Sequence, residues 1–167
     1  MKTGREPLTN DDDAAPVEML AQLFEAHGWP CEFVSDDEIS GEIQGSWTTY
    51  QMRGIWRAED RVLQLLCLPE IRVPQPKRAD AFELLGLINE QLWLGHFDLW
   101  RDDGMLLYRN GLLLSGAKTH VGQCEGLLKA ALEACERYYQ SFQFVLWAGR
   151  SAEEALAATM LETQGHA

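Results

Sequence analysis

The sequence predicts an α+β protein built on a mostly antiparallel sheet. Three stretches indicate this class: residues 76–93 carry apolar side chains at helical spacing, residues 31–68 alternate with a period of two, and residues 119–148 hold a long heptad pattern. Each such face needs an apolar partner, so helices packed on a sheet satisfy all three. The predicted order is α-β-β-β-α-β-β-α plus an extra C-terminal helix, with three or four strands before the second helix and amphipathic helices sandwiching the sheet.

The chain divides into a tail, one domain and a closing segment. Residues 1–15 hold Asp11, Asp12 and Asp13 with little to bury, which predicts a disordered acidic N-terminal tail. Residues 16–150 form the predicted α+β domain, and residues 151–167 a C-terminal helix and tail. The domain begins with a helix from Pro16 to about His27, because Pro is favoured in a first helical turn and Gly28 can end the helix.

A meander of strands follows the first helix. The strand around Trp47 to Ala58 places apolar and mostly polar residues on opposite faces, as in a half-buried sheet, whereas Val62 to Leu68 is apolar on both faces, as in a covered central strand. Two shorter strands precede them, at Cys31 to Val34 and Ile39 to Gln44.

The clearest stretch is a helix that leads directly into a hairpin. The helix runs from Pro76 to about Trp93, and Gly95 ends it. Two strands, His96 to Arg101 and Met105 to Leu114, then flank a turn at residues 102–104. The apolar face of this helix consists of Ala81, Leu85, Ile88 and Leu92, widened by Leu84 and Leu87.

A long helix is predicted from about Thr119 to Ala148. Its apolar positions alternate three and four residues apart through four heptads, and a second apolar row flanks them. The additional surface would meet either a closing helix that begins at the capping box from Ser151 to Glu154, or a second subunit. The seam consists of Val121, Cys124, Leu128, Ala131, Cys135, Tyr138, Phe142 and Val145.

Residues 88–92, 95–98 and 103–109, read together, resemble the YbjN-type family of small bacterial proteins, and the resemblance covers roughly residues 15–150. That family looks like the type III secretion chaperones in fold. The resemblance implies a chaperone-like homodimer in which the helix between the two strand groups packs at the interface. It would place Leu84, Leu87 and Gln91 at that dimer interface.

Composition restricts the partners and the compartment. A formal net charge of −12 repels phosphate backbones and anionic headgroups, so neither nucleic acid nor membrane is expected to bind. The four cysteines have no C-x-x-C spacing and no secretory leader precedes them, which predicts free thiols in the cytoplasm.

No motif carries chemistry. The glycine-containing stretch from Gly111 to Thr119 has its lysine one residue late for a phosphate loop and reads as a strand-to-helix connection. His120 and Cys124 could share a metal at helical spacing, but two ligands do not make a site. We therefore predict no enzyme, no catalytic residue, no cofactor and no metal.

The chain contains six tryptophans, a number that needs an explanation in one small domain. Most should be core, yet aromatic residues at an exposed sheet also anchor protein partners. The predicted partner contacts are Trp47, Ile55, Trp56 and Trp100. The sequence thus predicts a non-enzymatic protein-binding domain, chaperone-like or regulatory, that holds a segment of a client. The alternative is a small-molecule-sensing regulator with a pocket between sheet and long helix, contacted by Tyr50, Arg53 or His96.

Overall fold

The computed structural model describes residues 15–164, with side chains through Leu161. Apart from Ala15, the predicted acidic tail lies outside the described residues. The helices are α1 (Pro16–His27), α2 (Arg78–Gln91, after a 3-10 turn at Gln75–Lys77), α3 (Val121–Leu146) and α4 (Ala152–Gln164). The strands are β1 (Cys31–Ser35), β2 (Glu38–Gln44), β3 (Thr49–Arg57), β4 (Val62–Leu68), β5 (His96–Leu99) and β6 (Leu106–Leu113).

The six described strands form one sheet in the order β1-β2-β3-β4-β6-β5, and each neighbouring pair is antiparallel. The α+β class and the antiparallel sheet are confirmed. Four strands, not three, precede α2, because the five residues of β1 pair with β2 through the turn at Asp36 and Asp37.

All four helices lie on one side of the sheet, with α1, α2 and α3 against the strands and α4 against α2 and α3. Buried side chains of every helix belong to a single core cluster with one set of alternating strand residues, among them Met52, Cys67 and Tyr108, which are successive cross-strand partners. The expectation that helices sandwich the sheet is therefore wrong. One apolar stripe per helix suffices to cover one face, and the other face carries mostly polar residues on β2 and β3.

A smaller cluster explains why β4 is apolar on both faces. Leu66, Leu68 and Leu107 are buried on the helix-free face, although no described helix covers them. Ile55, Trp100 and Met105 pack against them instead. The second cover of β4 is thus supplied by neighbouring strand and turn residues.

The heptad seam of α3 forms the centre of the core. Its members are buried, except for the half-buried Val121 at the first turn. The helix α4 packs against both α3 and α2 and buries Ala152, Ala155 and Leu156. Of the two covers that the sequence leaves open for α3, the closing helix is therefore present within the chain. No helix in the described part of the chain is both long and apolar enough to cross a membrane.

Candidate functional site

A cleft with a volume of about 1150 Å³ lies beside α3. One wall is the middle of α3, and the other comes from the segment that joins α2 to β5. Trp47, from the turn between β2 and β3, closes one end. The lining residues are Trp47, Leu92, Trp93, Leu94, Tyr108, Ala130, Glu133, Ala134, Glu136, Arg137, Tyr138, Gln140 and Thr159.

The wall opposite α3 presents two exposed apolar side chains. Trp93 is 99% exposed and Leu94 is 70% exposed. They follow the end of α2 at Gln91 and precede Gly95, which has a φ of +70° that non-glycine residues rarely adopt. A bulky apolar pair exposed beside a cleft is unusual, because burial of such side chains stabilises a fold.

Hydrogen bonds hold the turn that carries Trp93 and Leu94 in place. The Tyr108 hydroxyl donates a hydrogen bond to the Leu94 carbonyl at 3.1 Å. Asn89 at the end of α2 bonds the Phe97 backbone twice, donating to its carbonyl and accepting from its N–H. Trp93 is therefore presented to solvent from a fixed turn.

The Trp47 end of the cleft is anchored to α3 through Glu136. The Trp47 indole N–H donates to the Glu136 carbonyl at 3.1 Å, and the Glu136 carboxylate accepts a bond from the Ser46 N–H at 2.8 Å. The indole also lies parallel to the Tyr139 ring, with centroids 6.4 Å apart. These contacts hold a 45% exposed tryptophan at a defined position.

Behind Glu136 lies a buried phenol. The Tyr50 side chain is fully buried and its hydroxyl makes no hydrogen bond of good geometry. Burial raises the pKa of Tyr50, and the neighbouring Glu136 carboxylate raises this pKa further, so the phenol stays protonated. Tyr50 thus serves as neutral support beneath the cleft.

The charged groups of the cleft do not form a reactive set. Glu133 lies 3.9 Å from Lys129 on the surface of α3, and the Arg137 guanidinium lies over the Tyr138 ring at 5.4 Å. Among residues 15–161, no group of three His, Cys, Asp or Glu side chains could hold a metal ion. The arrangement offers apolar and aromatic surface with a few polar groups at the rim, which suits binding.

The YbjN family model, described as "Putative bacterial sensory transduction regulator", matches residues 16–144. The chain belongs to the YbjN family. The predicted resemblance is confirmed, and the match ends within α3, so the extra helix α4 of this YbjN-family protein lies beyond it.

One solved structure similar to this YbjN-family chain is the crystal structure of YbjN from E. coli, titled "a putative transcription regulator". The two chains are 16% identical, with a TM-score of 0.45. The similarity covers 70% of this chain and 89% of the E. coli chain. None of the curated proteins compared matches.

The structure places the four predicted partner contacts of this YbjN-family protein on three different surfaces. Trp47 lines the cleft, whereas Ile55 and Trp100 each pack against the small leucine cluster on the helix-free face. Trp56 packs against the main core, with the Arg61 guanidinium over its ring at 5.6 Å. The predicted contacts of the alternative sensor, Tyr50, Arg53 and His96, are not brought together either, because Arg53 and His96 lie on the helix-free face.

The predicted dimer contacts occupy one helix at different depths. Leu84 is completely buried in the core of the single chain, and Leu87 is half-buried against that core. Gln91 is exposed and accepts a hydrogen bond from the Tyr138 hydroxyl at 3.3 Å. The dimer remains a prediction, and Leu84 would not reach a partner without a change in the core.

The structure also shows the surroundings of the His120–Cys124 pair and of the glycine-containing stretch that begins at Gly111. The His120 imidazole caps α3, its Nδ1 accepting a bond from the Gly122 N–H at 3.0 Å, while Cys124 is buried. Residues 111–113 complete β6. Sequence reasoning missed Trp93 and Leu94, and the available signal was a Trp-Leu pair directly before Gly95 and beyond Leu92, the last residue of the apolar stripe.

Proposed function

We propose that this YbjN-family protein is a non-enzymatic regulator that holds a segment of a partner protein in the cleft beside α3. The observation that carries the proposal is Trp93, which is 99% exposed on a turn fixed by backbone and side-chain hydrogen bonds. Aromatic residues held rigidly at a surface are the usual anchors of protein interfaces, because they bury a large area at little entropic cost.

The size and openness of the cleft favour a polypeptide. Its volume of about 1150 Å³ is above the roughly 300–1,000 Å³ that is typical of small-molecule pockets. Trp47, Trp93 and Leu94 are all substantially exposed, so a small molecule would leave much of this surface in water. A helical or extended segment laid along α3 would cover it.

The proposal includes a homodimer in the cytoplasm. The four cysteines are free, and three of them are buried, which fits a reducing compartment. The side of α2 that carries the exposed Gln91 and the half-buried Leu87, one helical turn apart, is the surface that we propose for the second subunit. Sedimentation of the full chain at several concentrations tests this part, and a constant monomer mass would contradict it.

A small-molecule sensor is the second candidate. The buried Tyr50 hydroxyl, which makes no hydrogen bond of good geometry, favours it, because a polar ligand that displaces the neighbouring Glu136 carboxylate could bond to that hydroxyl. In a thermal-shift assay with a metabolite panel, a bound metabolite would then raise the melting temperature of the protein, whereas peptides from a protein partner would not.

The decisive experiment places a photo-crosslinking amino acid at Trp93 in the native host. A second variant carries it at Leu113, which is 72% exposed on β6 and does not line the cleft. A polypeptide captured at position 93 and absent at position 113 is then tested as overlapping synthetic peptides against the purified chain. Equal capture at both positions would contradict the proposal.

Affinity measurements with the captured segment complete the test. Trp93→Ala should weaken binding by at least about tenfold, as expected for an aromatic anchor. Trp147→Ala is the matched control, because Trp147 is 64% exposed at the end of α3 and lies outside the cleft lining. Both side chains are solvent-exposed, so neither change should alter the free energy of unfolding by more than about 0.5 kcal/mol.

A further inference from the structure

The strand β1 ends the sheet with an open edge. It pairs with β2 on one side, and no other described strand lies on its second side. Four of its five residues are exposed, including Phe33 at 54% and Val34 at 58%. Proteins usually protect an edge strand that carries apolar side chains, because its free backbone groups can pair with another chain.

The pairing pattern shows which backbone groups of β1 face outward. The Glu42 N–H donates to the Pro30 carbonyl at 3.0 Å, so Pro30 and Glu42 form a hydrogen-bonded pair. Bonded and non-bonded pairs alternate in an antiparallel ladder, which places the next bonded pair at Glu32 and Ser40. The N–H and C=O groups of Cys31 and Phe33 therefore point away from β2. They can accept a further strand.

The surroundings of this edge carry one sign of charge. Residues 15–52, which supply α1, β1, β2 and the start of β3, contain seven acidic residues and no lysine or arginine. The next basic residue, Arg53, forms an ion pair with Glu38. Glu32 on β1 and Asp36 and Asp37 in the following turn form no ion pair within the described part of the chain.

We propose that the open edge of β1 binds an extended, basic segment of another protein as a seventh strand. The backbone of Cys31 and Phe33 supplies the ladder hydrogen bonds, the exposed Phe33 side chain packs beside the added strand, and the acidic residues select lysine or arginine. A second copy of this chain fits this edge poorly, because antiparallel pairing would bring Glu32, Asp36 and Asp37 against the same acidic residues.

This edge site is independent of the cleft. Its residues belong to the first half of the chain, and only Trp47 of the cleft lining does. The two proposals therefore fail separately: loss of binding at Trp93 leaves the β1 edge intact, and the reverse also holds.

The first test uses nuclear magnetic resonance on the full chain with a synthetic peptide of about eight residues alternating lysine and valine. We expect chemical-shift changes and slower amide exchange at Cys31 and Phe33. A peptide alternating glutamate and valine should cause neither effect. A lysine-valine peptide with a central proline should bind more weakly, because proline lacks the N–H that the ladder needs.

The second test compares two double variants with the same change in net charge. Glu32→Lys with Asp37→Lys removes the acidic surroundings of the edge and should weaken binding of the lysine-valine peptide by at least about tenfold. Glu153→Lys with Glu154→Lys, on the exposed side of α4, is the matched control and should change affinity by less than about threefold.

Three results would overturn the proposal. Equal weakening in both double variants would show attraction to net charge alone. Shift changes confined to residues 92–94 and 133–140 would place the peptide in the cleft. A dimer of the free protein with protected amides at Cys31 and Phe33 would assign the edge to a second copy.

Discussion

The Tyr108 hydroxyl and the Leu94 carbonyl are joined by a hydrogen bond of 3.1 Å, which ties the middle of β6 to the turn that presents Trp93. The two groups approach closely because residue 95 is glycine. A Cβ at that position would lie 2.2 Å from the Tyr108 hydroxyl oxygen, and the φ of +70° would strain any other residue. The position of the exposed Trp93 thus depends on the buried Tyr108 hydroxyl and on the absence of a side chain at Gly95.

Replacing Tyr108 by phenylalanine should loosen this turn without unfolding the protein. The change removes the bond to the Leu94 carbonyl and the longer bond of 3.4 Å that the hydroxyl accepts from the Asn110 amide, so the free energy of unfolding should fall by about 1–3 kcal/mol. Amide exchange at residues 93–95 should accelerate more than exchange in β6. Unchanged exchange at the turn, despite a lower free energy of unfolding, would show that the bond does not hold it.

A second prediction concerns the contact between Gly45 and α3. A Cβ at position 45 would lie 2.0 Å from the Glu136 carboxylate and 2.2 Å from the buried Tyr50 ring. Because that ring cannot move without disturbing the core, Gly45→Ala should lower the free energy of unfolding by about 1–3 kcal/mol. Denaturant unfolding measures this change.

Gly86→Ala is the opposite control. Gly86 lies inside α2, and a Cβ there would meet no heavy atom within 4 Å. Alanine reduces the backbone entropy of the unfolded chain and favours the helix, so the free energy of unfolding should rise by about 0.5–1 kcal/mol. A loss of stability in both variants would contradict the steric explanation for Gly45.

The fold was predictable where periodicity decides it. The seam of α3 repeats for four heptads, and each strand of the meander is bounded by turn residues, so their types followed from spacing alone. To predict that all the helices lie on one face of the sheet, one needs to know the register in which the strands pair. Cys67 and Leu66 are adjacent and both buried, yet only Cys67 faces α3.

The cleft was not predictable, because it combines three distant segments. Trp47 and Trp93 are separated by 46 positions, and Tyr138 lies a further 45 beyond Trp93. Periodicity continues the apolar stripe of α2 through Leu92, so Trp93 could equally be read as core. Only the end of the helix at Gln91 turns that indole outward. A local sequence pattern does not show which distant segments of the chain lie side by side in space.

A third prediction tests how α4 is fixed to α3. The Ser141 hydroxyl donates to the Thr159 hydroxyl at 2.7 Å, and the Thr159 hydroxyl donates to the Ala155 carbonyl at 3.0 Å. Both side chains are buried. Thr159→Val leaves the Ser141 donor without its acceptor, so the free energy of unfolding should fall by about 1–3 kcal/mol.

The double variant with Ser141→Ala provides the control for this pair. Removing both hydroxyls leaves no unsatisfied donor between the helices, so part of the loss should be recovered. A double-mutant cycle from denaturant unfolding gives the coupling energy. Strict additivity would contradict the contact between the two side chains.

The last prediction concerns alkaline pH and Cys124. Burial raises the pKa of the Cys124 thiol from 9.0 to about 11. Because the folded state holds this proton more tightly, the stabilising contribution is complete below pH 9 and is lost as the pH rises from 9 to about 11. A pKa that is higher by about two in the folded state corresponds to about 3 kcal/mol in the free energy of unfolding.

Other buried groups act in the same direction, since burial also raises the pKa of Tyr50, Tyr108 and Cys135. The comparison of wild type with Cys124→Ala isolates one thiol. Between pH 8 and 10.5, under reducing conditions, the free energy of unfolding should fall less steeply for Cys124→Ala. Cys31→Ala, which removes a partly exposed thiol, should change the slope less. Parallel curves for wild type and Cys124→Ala would contradict the raised pKa, because a cavity alone shifts a stability curve without changing its dependence on pH.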